Sequence, residues 1–142
     1  MKMKPDLTAP CGLDCFNCEV CEENISPQMR AFLAGRLNKR PEEVGCKGCR
    51  ESNGCRLHLN GCSTLDCVRS RGLGFCFECS DFPCDRLAPA LDGADKYPHN
   101  MKLFNLCRMK AVGVEKWAES EAASVRKRYF KGRLVIGSAP VV

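Results

Sequence analysis

Thirteen cysteines punctuate a chain of 142 residues, and twelve of them fall between positions 11 and 84. Their spacing is Cys11-x3-Cys15-x2-Cys18-x2-Cys21, then Cys46-x2-Cys49, Cys55, Cys62-x4-Cys67 and Cys76-x2-Cys79-x4-Cys84. A two-residue gap makes a turn that aims two sulfurs at one point, where both can bind an ion at about 2.3 Å in tetrahedral geometry. One such pair is a weak signal. The pairs 15/18, 18/21, 46/49 and 76/79 together are a strong one. By sequence the twelve divide into 11/15/18/21, 46/49/55/62 and 67/76/79/84, although zinc proteins often interleave ligands between sites. The alternative partition has two sites, with Cys21 and Cys55 merely buried.

Disulfides are the weaker use of these thiols. The cysteine fraction is near that of a secreted disulfide scaffold, but "MKMKPDLTAP" carries no apolar run of signal-peptide length. No stretch approaches the roughly 18 apolar residues of a membrane span. The expectation is therefore a cytoplasmic chain, where clustered cysteines read as metal-binding or catalytic. Catalysis by an activated thiol needs a base or cation beside it, and neither His58 nor His99 pairs with a cysteine in sequence. No catalytic residue is assigned. Cys107, isolated on a helix, reads as a small buried hydrophobe, and His58 as a surface residue rather than a replacement ligand.

Zinc is favoured over iron–sulfur. Ferredoxins carry C-x2-C-x2-C-x3-C-P, whereas the opening gaps here are three, two and two, no proline follows Cys21, and Pro83 precedes Cys84. Cys11, Cys15 and Cys18 do spell CxxxCxxC, the pattern of radical S-adenosylmethionine enzymes, but the chain lacks the length and strand–helix alternation of that barrel. Glycine-rich turns and all-cysteine tetrads suit closed structural zinc sites. An iron–sulfur electron carrier or redox sensor stays as the alternative.

Charge is unevenly spread. Residues 1–95 hold 12 Lys and Arg against 14 Asp and Glu, and residues 96–142 hold 10 against 3. Ligating thiols are deprotonated, so zinc would make the first part more anionic still. The sharpest basic cluster, "RKRYFKGR", sets Arg126, Lys127, Arg128, Lys131 and Arg133 around Tyr129 and Phe130. Such interleaving can hold phosphates and stack bases, which makes nucleic acid a second possible partner beside a protein. The plainer alternatives are cations suited to a helix C-terminus, or a basic part packed on the chain's own anionic part.

The elements that must position these residues are mostly helical. "SPQMRAFLAGRLNKR" predicts a helix capped by Ser26 with Pro27 first and Met29, Phe32, Leu33 and Leu37 apolar. "RPEEV" predicts a short turn. From Gly45 to Cys84, forty residues hold eight cysteines and six glycines. That composition predicts loops and tight turns, too poor in large apolar side chains to stay ordered without staples. "SDFPCDRLAPAL" predicts a short helix starting near Asp81–Pro83 and stopped by Pro89. "NMKLFNLCRMKAV" predicts a helix ended by Gly113 with Leu103, Phe104, Leu106, Cys107 and Met109 apolar. "EKWAESEAASVRKRYF" predicts one amphipathic surface helix, with Trp117, Glu121, Val125 and Tyr129 four apart. The tail "GRLVIGSAPVV" predicts a strand-like or mobile end.

The segments "CGLDCFNC", "CKGC" and "CVRSRGLGFCFECSDFPCDRL" resemble an uncharacterised prokaryotic family of small cysteine-rich proteins, catalogued as a domain of unknown function. Its pattern is CGLxCxxC … CxGC … CxxxxGxxxCxECxxFPCxxL, and "NLCRMKAVGVEKW" is similar to the helix that ends many members. The resemblance spans most of the chain. It implies a zinc-binding protein of no known activity, with Cys11, Cys15, Cys18, Cys46, Cys49, Cys62, Cys67, Cys76, Cys79 and Cys84 as ligands. Cys21 and Cys55 are weaker parts of that pattern. The expected architecture is a small metal-stapled, mostly α domain with irregular cysteine-rich loops and little or no β-sheet. Residues 1–95 would form the metal lobe with one inserted helix, and residues 96–142 a basic helical pair packed on it. Two or three structural zinc ions, and action through the surface on a protein partner, complete the expectation.

Overall fold

A computed structural model describes residues 2–55 and 61–142. Helices α1 to α6 and short 3-10 turns account for its regular structure, and among the described residues the β-pairing is confined to isolated bridges. The expected mostly helical architecture with little or no β-sheet is what the described residues form.

Helix α1, Pro27–Leu37, begins as its cap residue requires: the Ser26 hydroxyl accepts from the Met29 N–H at 3.1 Å. It buries Ala34, with Met29 and Leu33 packed against Ile25 and Val44. Phe32 is 60 % exposed, so the apolar face is narrower than its spacing implied. "RPEEV" forms the 3-10 turn Pro41–Glu43. Helix α2, Cys49–Ser52, is a single turn, and α3, Ser63–Ser70, runs through Cys67. The second cysteine region is therefore not all loop. Between Ser63 and Ser70 no glycine or proline interrupts the chain, and Leu65 and Val68, three apart, are both buried.

The helix expected from Asp81–Pro83 is shorter than its composition suggested, a 3-10 turn over Asp85–Leu87. Helix α4, Met101–Val112, ends at Gly113, whose φ of +89° suits glycine. It turns Met101, Asn105, Leu106 and Met109 inward. Cys107 and Phe104 face out, so Cys107 is exposed and not the buried hydrophobe expected.

The predicted single surface helix is two helices, α5 (Val114–Ser120) and α6 (Ala122–Lys131). The break is at Glu121, φ −120° and ψ −40°. There Arg108 of α4 makes two bonds to the Glu121 carboxylate, at 2.7 and 2.6 Å. The guanidinium holds that carboxyl below the usual carboxylate range. Trp117 is wholly buried. The local pattern of mixed polarity concealed a core residue, because only the facing segments supply what covers it. The tail closes in a bridge between Arg133 and Val141, bonded at 2.8 and 3.1 Å.

One apolar cluster joins both parts of the chain. Leu7, Phe16, Cys21 and Leu87 meet Leu106, Met109, Trp117, Ala118 and Ala122. The Phe16 ring stands edge-on to Trp117, 6.0 Å between centroids and 75° between planes, a geometry favoured by aromatic quadrupoles. Removing a buried indole typically costs about 3–5 kcal/mol. Trp117→Ala should lower the unfolding free energy by that amount in a denaturant titration, whereas Phe32→Ala should stay within about 0.5 kcal/mol. Equal losses from the two would contradict this core.

Candidate metal centre

Three of the four closely spaced cysteine pairs begin as local turns, whereas Cys46 lies in a bridge and Cys49 opens α2. Cys18 N–H donates to the Cys15 carbonyl at 3.1 Å, Cys21 to Cys18 at 3.1 Å, and Cys79 to Cys76 at 3.2 Å. One sulfur itself accepts from the backbone two residues on, Cys79 from the Asp81 N–H at 3.4 Å. The amides of Leu13 and Val20 act to lower the thiols of Cys11 and Cys18 against the rise that burial imposes. Amides aimed at sulfur stabilise a thiolate. Arg71 adds a guanidinium bond to Cys79 at 2.9 Å while paired with Asp81 at 2.8 Å.

Long-range contacts then gather the turns. Glu22 N–H donates to the Cys46 carbonyl at 2.8 Å and Cys46 N–H to Val20 at 2.9 Å, a parallel bridge that sets Cys46 beside Cys21. Cys76 N–H donates to Pro10 at 2.9 Å. Gly12 sits at φ +90°, where a Cβ would fall 2.7 Å from the Lys102 carbonyl and 2.8 Å from Leu106. The Asn105 amide clasps the Gly12 carbonyl at 2.8 Å. Only glycine lets the first cysteine turn lie this close to α4. Arg50 reaches the carbonyls of Thr8 (3.2 Å) and Gly74 (2.8 Å) and lies 4.8 Å over the Phe75 ring. Three cysteine-bearing segments are thus tied by one side chain.

Cys67, Cys76, Cys79 and Cys84 line one cavity of about 30 Å³, with Arg71, Asp81 and Phe82 among its walls. These four are the residues of the third group in the sequence partition, and they come from α3, the 3-10 turn Cys76–Glu78 and the segment before Asp85. Cysteines of the first two groups act on one another's thiols. Burial raises the Cys15 thiol well above its ordinary value, reinforced by Cys49, Cys11, Cys46 and Cys18. Burial likewise pushes Cys49 up to about 11, with Cys11, Cys62 and Cys46 adding to it. Cys18 feels Cys46 and Cys55. Electrostatic influence among Cys11, Cys15, Cys18, Cys46, Cys49, Cys55 and Cys62 thus crosses between the first two groups. Cys76, raised by burial to about 12, feels Cys11 as well as Cys84, Cys67 and Cys79, so the two groups adjoin. Cys21 lies in the apolar core, 3 % exposed.

Among the described residues, no three His, Cys, Asp or Glu side chains converge as a ready coordination group. The thiols line shared space without meeting at a point. His58 lies outside the described residues. His99 lies in the 3-10 turn Pro98–Asn100 just before α4, where its Nε2 bonds the Ala88 carbonyl at 2.7 Å and its Nδ1 the Lys102 ammonium at 3.2 Å.

The basic cluster is not one free patch. Arg126 donates to Asp14 at 2.8 Å, and Asp14 is fully buried and also accepts from Asn17 at 3.0 Å. Part of the basic segment does pack on the cysteine-bearing part. Asp14, Arg50, Arg71 and Asn105 escaped the sequence reading because single polar residues carry no periodicity; Asp14 and Arg126 are 112 positions apart. Stripping one partner from a buried pair costs about 3–5 kcal/mol. Arg126→Ala should lose stability on that scale in denaturant titrations, and Asp14→Asn combined with it should recover most of the loss. No recovery in the double variant would refute the coupling.

A family model described as a protein of unknown function (DUF3795) matches residues 7–89. No curated protein and no solved structure matches the chain. No described helix is long and apolar enough to cross a membrane.

Proposed function

The chain belongs to the family described as protein of unknown function (DUF3795), and from that premise we propose that it is a zinc-binding protein whose metal is structural. The observation that carries this is the cavity lined by Cys67, Cys76, Cys79 and Cys84. Four thiols, no carboxylate pair among the cavity's lining residues and the Asp81 amide directed at the Cys79 sulfur suit a closed zinc tetrad. Rotation of the four side chains toward the cavity centre would complete it. A second ion, or a closely spaced pair, would be drawn from Cys11, Cys15, Cys18, Cys46, Cys49, Cys55 and Cys62. Cys21 serves the apolar core in this assignment. Arg71, bonded to Cys79 and Asp81, offsets the negative charge of a tetrathiolate site.

The metal would tie together a segment that its own apolar side chains hold poorly, and binding free energy would then be folding free energy. Element analysis of untagged protein, prepared anaerobically, should find two or three zinc ions per chain. Cys76→Ser should lose one ion and Cys107→Ser none. A folded preparation without metal overturns the proposal. A brown preparation bearing iron and sulfide would replace zinc by a cluster.

The raised thiols set the pH dependence. Burial keeps Cys49 and Cys76 protonated at neutral pH, so ligation must expel their protons. Each proton released makes apparent affinity rise about tenfold per pH unit below the thiol range. Zinc titrations in buffers of different ionisation enthalpy should show several protons released per ion. Uptake without proton release would contradict thiolate ligation. In the metal-free chain the sign reverses. Raised thiols favour folding up to the ordinary thiol pKa, and that contribution is lost as pH climbs through 11 to 12.

A further inference from the structure

A groove of about 290 Å³ lies between α6 and the 3-10 turn Cys15–Asn17, lined by Asn17, Ala123, Arg126, Lys127, Phe130 and Lys131. It is separate from the cysteine cavity, and every charged group on its walls is cationic. Its volume is near the lower end, about 300 Å³, of small-ligand sites.

Much of the groove is set in advance. Asp14 holds both Arg126, at 2.8 Å, and Asn17, at 3.0 Å. The Phe130 ring stands edge-on to Tyr129, 5.0 Å between centroids at 89°, and the Arg126 guanidinium lies 5.4 Å from it. Phe130 is nevertheless 38 % exposed. Lys127 and Lys131, both exposed, are one helical step of four apart and so share a side of α6. A partly open aromatic ring thus stands beside two exposed ammonium groups.

We propose that this groove binds a nucleotide unit, its phosphate between Lys127 and Lys131 and its base against Phe130. A neutral aromatic ligand would leave the lysines unused, and an inorganic anion would leave the ring unused. Stacking on a side chain requires a base free of its duplex. A lysine holds phosphate as a point charge without demanding one geometry. The positive charge of residues 96–142 draws anions toward this side of the chain. Helix-end cations alone would account for Lys131, but not for an open phenylalanine beside it or for the Arg126 anchor.

The same chemistry occurs in a free mononucleotide and in a single strand, and the full chain distinguishes them. Fluorescence anisotropy with a labelled oligothymidylate, and calorimetry with AMP, should detect binding by at least one. Lys127→Glu with Lys131→Glu should weaken the observed binding at least tenfold. If the strand is the ligand, that double variant should also flatten its salt dependence, by roughly 1.4 in the log–log slope for two lost contacts. Phe130→Ala should weaken binding about tenfold at every salt concentration without changing the slope. Arg126 is left intact so that the Asp14 pair survives, and circular dichroism verifies each variant's helices. Oligothymidylate binding without AMP binding assigns the strand; AMP binding of equal strength assigns the free nucleotide. Failure of both ligands, or wild-type affinity in either variant, overturns the proposal.

Discussion

A carboxylate removed from water has to be neutralised, and Asp14 is wholly buried. Isolated burial of such a charge costs far more than one hydrogen bond returns. Arg126 of α6 and Asn17 meet this demand at 2.8 and 3.0 Å. Asp14 sits in the first cysteine turn, so its need for a cation orients that turn on the C-terminal helices. Phe16 against Trp117 and Gly12 beneath Asn105 act on the same few residues. Charge, ring and backbone all fix one junction.

Around that junction the cysteines are presented rather than closed. Their turns are local, yet the cavity bounded by Cys67, Cys76, Cys79 and Cys84 needs α3 and the Cys76–Glu78 turn brought together. Arg50 bonds Thr8 and Gly74 and receives Arg69 on its own carbonyl at 2.7 Å. These polar ties do part of the work that an apolar core does in richer sequences. An ion held by the thiols would supply the remainder, at sites whose protonated thiols first have to ionise.

The basic segment is divided between two environments on one helix. Arg126 faces inward to Asp14, while Lys127 and Lys131 remain on the surface beside Phe130. A net positive balance therefore overstates the charge free to meet a partner. It is the inward arginine that holds the groove's wall in place.

Spacing and caps alone determined α1, its Ser26 cap, the end of α4 at Gly113, the mostly helical character of the described residues, the short turns at 15/18 and 76/79, and the family itself. Those features rest on interactions within four residues or on a linear pattern. The tertiary structure decided what depends on distant partners. It broke the last helix at Glu121, where Arg108 binds, and buried Trp117 in a stretch of mixed polarity. It gave Ser63–Ser70 a helix, turned Cys107 outward, and matched Asp14 with Arg126. No local period encodes such pairings, because the energy of a buried charge or ring depends on whatever segment folds over it.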